Sequence, residues 1–496
     1  MSYLMGIDLG TSSVKTLIID LQGNVIGSGQ ENYDIDIPAD GYAEQSPERW
    51  WEKTVKTIRT ALKIASIHSK DLKGIGLSGQ MHGMVLVDKD KKVVRPSIIW
   101  ADQRSAAQTD DILKKIGKDK FGEITLNNIF TGFQTPSLLW IKNNEPLNYE
   151  RTWKVLSPKD YIKLQLTGEV STDKTDASAT LAFETAEGEW SSDLLNQIGL
   201  DIEKYPDHHN SDVVGGTITR NTADICGLSY GTPVVSGGGD QFMQAVGNGI
   251  VTPGIASLTI GTGGQVFTPS TEPLYDKQLR THTFAHSIQG MWGIMGASLA
   301  SGLSLKWLKN NILGLSTYQE MNAFAEKVEA GSEGVVYLPY LTGERTPHMD
   351  SYAKGMFFGL KYRHSREHLI RAVMEGVAFS LRDSVEIFKS LGIHPKKFVA
   401  AGGGATSEIW LKIQASILQT EIYTSKTVEQ AAFGAAIVAG VGSGMFSTIQ
   451  QACEQLITYN DTPIYPEKDT VEKYENTYQL YKDIYIQNKE LYRRQI

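Results

Sequence analysis

Residues 4–20 read LMGIDLGTSSVKTLIID, two apolar runs separated by a short break of small and polar residues. The runs cover residues 4–7 and 14–19, and Asp8 and Gly10 lie in the break between them. Short apolar runs separated by Gly-containing breaks are typical of strands joined by tight turns. The sequence therefore predicts a strand, a turn and a second strand at the start of the chain.

The same arrangement occurs again near the middle of the chain. Residues 255–260 are apolar, residues 261–264 read GTGG, and residues 265–267 read QVF. Two strand-turn-strand units with Gly- and Thr-rich turns predict two lobes that are duplicates of each other.

The stretches that follow each unit show helical and strand-like patterns. Apolar residues recur at helical spacing in residues 47–65 and 367–391, and apolar runs follow at residues 74–77 and 398–400. Alternating helices and strands predict the α/β class. The C-terminal tail from Glu467 onward is rich in Tyr, Lys and Glu and predicts a solvated closing helix.

The 496-residue length exceeds what one hydrophobic core usually organises, so at least two domains are expected. The best candidate boundary contains Gly249, Pro253 and Gly254, between a helical and a strand-like pattern. We therefore predict an N-terminal domain of residues 1–248 and a C-terminal domain of residues 249–496.

The composition excludes several classes of protein. The net charge is −8 and basic residues are scattered, so no electropositive track is expected for a nucleic acid. Cys226 and Cys453 are far apart, which argues against a disulfide framework or a structural zinc site and favours a reducing cytoplasm. The N-terminal residues predict no export signal, and the weakly polar run at residues 433–446 is too short to cross a membrane.

The glycine-rich turns are candidate phosphate-binding sites. Backbone N–H groups of such turns, with Thr or Ser hydroxyls beside them, can approach phosphate oxygens, and residues 10–13 and 261–264 have this composition. Either turn taken alone is more often a hairpin, and the chain has no GxxxxGK[ST] sequence.

Two carboxylates follow apolar runs and suit phosphoryl transfer, which needs a metal ligand and a base for the attacking hydroxyl. Asp8 is a candidate Mg²⁺ ligand acting through water, although an Asp in a turn is the simpler interpretation. Asp240 follows three glycines, which leave room for a substrate at its carboxylate; the alternative is a helix N-cap. His82, between two glycines, is a further candidate.

These motifs together resemble the FGGY carbohydrate kinases of the actin-like ATPase superfamily, and within them most closely the xylulokinases. The similarity spans nearly the whole chain. Its motifs are GIDLGTS at residues 6–12, GQMHG at 79–83, Trp100 with Asp102-Gln103-Arg104, PKDY at 158–161, LTGE at 166–169, GGGD at 237–240 and LTGERTPH at 341–348.

The resemblance implies two ribonuclease-H-like lobes around a central cleft, with sugar held mainly by the N-terminal lobe and ATP by the C-terminal lobe. It implies ATP- and Mg²⁺-dependent phosphorylation of D-xylulose at its 5-hydroxyl in pentose catabolism. Asp240 would be the catalytic base, and Asp8 would lie near Mg²⁺ and the phosphates. The sugar-binding residues implied are Gln80, Met81, His82, Asp240 and Gln241. The nucleotide-binding residues implied are Thr11, Lys15, Gly261, Thr262, Gly263, Gly402, Gly403, Gly404 and Ser407.

The sequence departs from the family pattern at a few positions. Gln241 replaces a common Asn, the bulky Phe242 and Met243 follow it, and Gly263-Gly264 replaces Ser-Gly. Other motif residues, among them Lys159 and Glu344, have no assigned role and would serve equally well as ion pairs between segments.

Two alternatives remain open. One is a kinase of another ketose, polyol or sugar acid, because motifs fix phosphoryl transfer more firmly than substrate choice. The other is a catalytically silent sugar sensor or actin-like chaperone ATPase. The partners expected are a small sugar and ATP, with a homodimer as one assembly.

Overall fold

The first half of the chain forms a seven-stranded sheet in the computed structural model, which describes residues 1–427 and 429–494. The strands of this half are β1 (Tyr3–Leu9), β2 (Ser13–Asp20), β3 (Val25–Asn32), β4 (Glu44–Gln45), β5 (Leu72–Gly79), β6 (Val85–Val87), β7 (Ser97–Ile98), β8 (Lys154–Leu156), β9 (Ser171–Asp173), β10 (Phe183–Glu184), β11 (Glu189–Trp190), β12 (Asp207–His209), β13 (Val214–Thr217), β14 (Pro233–Val235) and β15 (Gly238–Gly239). Its helices are α1 (Pro47–Ala65), α2 (Ala106–Ile116), α3 (Lys118–Thr125), α4 (Gln134–Asn144), α5 (Pro146–Arg151), α6 (Pro158–Thr167), α7 (Lys174–Ala179), α8 (Ser192–Ile198), α9 (Arg220–Cys226) and α10 (Asp240–Gly247).

The second half forms a six-stranded sheet. Its strands are β16 (Ile255–Ile260), β17 (Gly264–Ser270), β18 (His282–Ala285), β19 (Trp292–Ser298), β20 (Val336–Leu338), β21 (Met356–Phe358), β22 (Lys397–Ala401) and β23 (Ile422–Thr424). Its helices are α11 (Ser301–Trp307), α12 (Tyr318–Ala325), α13 (Arg366–Ser390), α14 (Glu408–Leu418), α15 (Gln430–Gly442), α16 (Ile449–Leu456) and α17 (Lys468–Tyr492). Among the described residues no helix is both long and apolar enough to cross a membrane.

The two sheets share one topology. The order in the first is β13-β14-β5-β1-β2-β3, and in the second it is β18-β19-β17-β16-β22-β23. In the first sheet the antiparallel strands β1, β2 and β3 adjoin the parallel strands β5 and β14, and in the second β16, β17 and β19 adjoin β22 and β23 in the same way. Strands β13 and β18 are additional antiparallel edge strands, and β15, the seventh strand of the first sheet, pairs with β5. The prediction of an α/β protein with duplicated lobes is therefore confirmed.

Several predicted elements are found with nearly the same bounds. Helix α1 covers residues 47–65 as predicted, and α13 covers Arg366–Ser390. Helix α1 starts there because the Ser46 side chain accepts a hydrogen bond from the N–H of Arg49 and Pro47 follows it.

The prediction of a solvated closing helix is wrong in part. Helix α17 buries Tyr474, Tyr478, Tyr481 and Tyr485 at helical spacing against the second lobe. The Tyr478 hydroxyl donates a hydrogen bond to Asp383 over 2.7 Å. The many Lys and Glu residues of the tail favour a solvated helix, but the tyrosines recur at helical spacing and pack their rings on one buried face. The last two residues of the predicted tail lie outside the described part of the chain.

Helix α15 joins the two halves, because it lies late in the chain but packs on the first sheet and on α10. The contact is backbone to backbone: a Cβ on Gly6 would lie 1.8 Å from the carbonyl oxygen of Ala432, and one on Gly76 would lie 1.8 Å from that of Ala435. Only glycine leaves room for such an approach. The division of the chain at Asn248 stays a prediction.

We predict that Gly76→Ala destabilises the protein by about 3 kcal/mol or more, because the rigid backbone of α15 cannot give way to the added methyl group. The measurement is the free energy of unfolding in denaturant, or the melting temperature. Gly290→Ala is the control: its site has φ = +74° and nothing within 4 Å, so only backbone strain is added. An equal loss in both variants would contradict the close-packing account.

Candidate active site

The carboxyl ends of three parallel strands meet at one edge of the first sheet. Strand β5 pairs in parallel with both β1 and β15, so that Ser78 lies opposite Asp8 on one side and Gly238 on the other. Asp240 follows β15 directly, and residues 80–83 follow β5. This topology brings together Asp8, Asp240 and the GQMHG segment, which are far apart in the sequence.

Asp240 is the first residue of α10, and Gly239 is the N-cap. The interpretation of Asp240 as an ordinary N-cap is therefore wrong. Burial, followed by the nearby Asp8 carboxylate, raises the pKa of Asp240 to about 7. At neutral pH this side chain is thus divided between the acid and the carboxylate, which suits a proton acceptor.

Asp8 shares the desolvated environment. Its Oδ1 accepts a hydrogen bond of 2.7 Å from the Ser78 hydroxyl. Burial raises the pKa of Asp8, and the effects of Ser78 and of Lys15 only partly oppose this. A cation placed between Asp8 and Asp240 would relieve the repulsion between the two carboxylates.

The sugar-binding residues implied by the resemblance form one wall beside Asp240. Met81 is buried, and a Cβ on Gly239 would lie 2.6 Å from its Cγ. Gln80 is buried below, where its Nε2 donates to Gln45 Oε1 over 2.9 Å. Gln241 is half-buried in the first turn of α10.

His82 presents a neutral ring to this wall. Its Nδ1 lies 3.0 Å from the carbonyl oxygen of Ala179, which can only accept, so Nδ1 carries the proton and Nε2 is left as an acceptor. Burial lowers the pKa of His82 to about 4, and the nearby positive charge of Arg345 also lowers it. The ring packs on Phe133 with centroids 3.8 Å apart.

Two cavities are lined by predicted nucleotide-binding residues; a third, of about 480 Å³, lies elsewhere on the surface and contains none of them. One, of about 450 Å³, is lined by Gly261, Thr262, Gly403, Gly404 and Ser407. The other, of about 550 Å³, is lined by Asp8, Lys15 and Gly402. The structure thus brings most of these residues to two cavities in the cleft.

Sequence reasoning missed the opposite wall of the 450 Å³ cavity. It consists of Lys306 from α11, of Tyr318 and Asn322 from α12, and of Trp410 from α14. Asn322 Oδ1 accepts a hydrogen bond of 2.9 Å from the Ser407 hydroxyl, which also caps α14. No motif marks these residues, because they converge only through the packing of separate helices.

Three of the implied phosphate neighbours have partners within the protein. Lys15 Nζ lies 2.5 Å from Glu429 Oε2. The Thr11 hydroxyl accepts a hydrogen bond of 2.9 Å from the indole of Trp100. Gly263 lies against β19, where a Cβ would be 2.6 Å from the carbonyl oxygen of Ser298. Their roles in nucleotide binding stay predictions.

The unassigned motif residue Lys159 is fully buried among carboxylates. Its Nζ lies 2.6 Å from Asp160, 2.9 Å from Asp173 and 3.2 Å from Asp176. Asp173 caps α7, and Thr175 on that helix accepts a hydrogen bond of 2.9 Å from the N–H of Gly239. The cluster therefore supports the turn that precedes Asp240.

Two of the sequence departures lie in the hydrophobic core. Phe242 and Met243 are fully buried. The Phe242 ring packs edge-on against Phe267 at 5.5 Å between centroids. Phe242 also lies 6.5 Å from Phe284 between ring centroids, and Phe284 lies 5.9 Å from His82, so this part of the core supports the sugar wall from behind.

We predict that Asp240→Asn stabilises the metal-free protein more at pH 8 than at pH 5. Between about pH 4 and pH 7 the unfolded chain has released this proton while the folded protein retains it, so rising pH destabilises the fold through Asp240. The amide cannot ionise, and we expect its melting temperature at pH 8 to exceed that of the wild type by about 1 to 3 °C. Asp224→Asn, on the exposed face of α9, is the control. A difference that is the same at both pH values would contradict the raised pKa.

Comparison with known proteins identifies the family. The N-terminal domain of the FGGY family of carbohydrate kinases matches residues 3–247, and its C-terminal domain matches residues 256–443. A xylulose kinase of Bacillus subtilis (strain 168) is 37% identical over 491 residues, which cover 99% of this chain and 98% of that protein. A xylulose kinase of Staphylococcus xylosus is 36% identical, over 98% of this chain and all of that protein. The crystal structure of xylulose kinase from Rhodospirillum rubrum superimposes with a TM-score of 0.92 at 29% identity, over 99% of this chain and all of that one. The chain, with its two duplicated lobes and its paired carboxylates, belongs to the FGGY family of carbohydrate kinases.

Proposed function

We propose that this carbohydrate kinase transfers the γ-phosphoryl group of ATP to the 5-hydroxyl of D-xylulose. The observation that carries the proposal is the position of Asp240, which directly follows β15 at the strand ends that also carry Asp8 and the GQMHG segment, and whose pKa is raised to about 7. The choice of sugar is supported by the names of the full-length relatives, which are xylulose kinases. Since ATP is the donor, the protein would act in the cytoplasm.

Asp240 would act as the general base. With the sugar held by Met81, His82 and Gln241, the 5-hydroxyl donates a hydrogen bond to the Asp240 carboxylate. The proton passes to Asp240 as the oxygen bonds to the γ-phosphorus, and the bond from that phosphorus to the β–γ bridging oxygen breaks to release ADP. Most of the acceleration would come from positioning and from charge stabilisation in a dry cleft.

Asp8 would hold Mg²⁺. Among residues 1–427 and 429–494 no group of three or more His, Cys, Asp or Glu side chains is arranged to hold a metal. This fits Mg²⁺, which keeps its waters and is typically bound by one or two carboxylates together with substrate phosphates. The bound ion would neutralise phosphate charge and relieve the repulsion between Asp8 and Asp240.

The 450 Å³ cavity would hold the adenosine part of ATP. Its polar floor is formed by Gly261, Thr262 and the glycines at residues 403–404, and Tyr318 and Trp410 lie among the residues that line it. A cavity of this size with apolar walls and few polar groups is typical of small-ligand sites. Thr11, Lys15, Gly263 and Gly402 would lie toward the phosphates.

We predict that Asp240→Ala lowers kcat for D-xylulose by at least about 10²-fold while sugar binding stays measurable, because only the proton acceptor is removed. The measurement is ADP formation with D-xylulose, D-ribulose, L-ribulose, glycerol and gluconate in parallel, and sugar affinity by calorimetry. Asp224→Asn should retain wild-type turnover. Retained turnover in Asp240→Ala would remove the residue from this role. If another sugar is preferred, the proposed mechanism stands and the proposed substrate is wrong.

We predict that Gly403→Val raises KM for ATP at least about tenfold and changes KM for D-xylulose less than twofold. Among the described residues, a Cβ at Gly403 would have the Ile260 carbonyl oxygen as its one neighbour within 4 Å, at 3.9 Å, so the branched side chain would extend into the cavity. Steady-state kinetics with each substrate varied in turn provide the test. An unchanged KM for ATP would place the nucleotide elsewhere.

A further inference from the structure

Arg345, in the LTGERTPH motif of the second lobe, has a half-buried side chain. Within residues 1–427 and 429–494 its guanidinium makes no hydrogen bond and no ion pair, and its one ring contact is with Phe130, 5.3 Å from the centroid. A guanidinium has only donors, and partial burial already lowers the pKa of Arg345, so an acceptor for these donors would stabilise its charge. Such a group is expected to have a ligand with acceptor oxygens.

The guanidinium lies at the sugar wall. Phe130 is 6.1 Å from Phe133 between centroids, and Phe133 packs on His82 at 3.8 Å. Residues 127–133 and His82 come from the first lobe, whereas Arg345 comes from the second. Arg345 therefore reaches across the cleft to the wall that also carries Met81.

The backbone of Arg345 is fixed by its buried neighbour. Glu344 Oε1 accepts hydrogen bonds from the N–H groups of Arg345, at 2.7 Å, and of Leu299, at 2.9 Å. The N–H of Thr346 donates to the carbonyl oxygen of Ala297 over 3.0 Å. These contacts attach the motif to the end of β19, so Glu344, for which the sequence suggested no role, positions Arg345.

Arg345 and His82 together offer one donor group and one acceptor. An α-hydroxyketone presents the complement, because its carbonyl oxygen accepts and its neighbouring hydroxyl can donate. In a polyol the carbonyl is replaced by a hydroxyl, whose own proton finds no acceptor on the donor-only guanidinium. The pair therefore matches the end of a 2-ketose that lies away from the hydroxyl at Asp240.

We infer that Arg345 binds the C2 carbonyl of an open-chain 2-ketose, with His82 Nε2 accepting from the C1 hydroxyl, and that this contact selects ketoses over the corresponding polyols. The inference rests on the proposed function and adds a specificity-determining residue from the opposite lobe. Hydrogen bonds from a charged donor are about twice as strong as neutral ones, so removal of the Arg345 guanidinium should cause a large loss of ketose affinity.

The test compares wild type, Arg345→Gln and Arg345→Lys, with Arg363→Gln as control because Arg363 is an exposed residue of the same lobe that pairs with Glu333. The quantities are kcat/KM and the calorimetric Kd for D-xylulose, and the Ki of xylitol and D-arabinitol as competitive inhibitors. We expect Arg345→Gln to lower kcat/KM for D-xylulose and to raise its Kd roughly 10- to 100-fold, and to raise the Ki of the two polyols less than about threefold. Arg345→Lys should recover part of the loss, and Arg363→Gln should match the wild type.

The outcomes separate this inference from the proposed function. If the wild type turns over D-xylulose but Arg345→Gln lowers the affinities for the ketose and for the polyols by the same factor, Arg345 does not bind the carbonyl group. A fall in kcat with every sugar at unchanged sugar Kd would assign Arg345 to the phosphoryl group and also overturn the inference. A wild type with no turnover of D-xylulose contradicts the proposed function itself. Unchanged melting temperature and ATP affinity in Arg345→Gln would show that the variant is folded.

Discussion

The backbone contact between α15 and the first sheet is the constraint on which the rest of the structure depends. Carbonyl groups of α15 occupy the space where side chains of Gly6 and Gly76 would be, and α10 packs on the other side through Gly247 and Gly434. Two helices and two strands thus meet at backbone distance. Because α10 begins with Asp240 and β1 carries Asp8, this packing fixes both carboxylates relative to each other and to the second lobe.

Close packing at this point also explains the electrostatics. Burial is the largest cause of the raised pKa of Asp8 and of Asp240, and for Asp240 the nearby charge of Asp8 adds to it. Such a pair lowers stability near neutral pH, which is a common property of catalytic groups. The buried Lys159 cluster holds Asp173 at the start of α7, and Thr175 of that helix accepts a hydrogen bond from Gly239 in β15, so the cluster supports the strand that directly precedes Asp240.

The local sequence pattern and the order of the motifs predict much of the fold and of the site. The strand-turn-strand at residues 4–20 and helix α1 follow from apolar periodicity and an N-terminal Ser-Pro, both of which are local. The cavity wall with Tyr318 and Asn322 could not be predicted, because it depends on packing between helices distant in sequence. The position of Arg345 beside His82 likewise depends on how the two lobes face each other. The buried face of α17 was not predicted because the Lys and Glu residues between its tyrosines make the tail appear solvated.

The most direct test of the central claim is a crystal structure of the wild-type protein with D-xylulose and a non-hydrolysable ATP analogue. We predict that the 5-hydroxyl lies within about 3 Å of an Asp240 carboxylate oxygen and in line with the γ-phosphorus. We also predict that the adenosine lies in the cavity that Gly403 lines. A sugar whose terminal hydroxyl lies away from Asp240, or a nucleotide outside that cavity, would contradict these predictions.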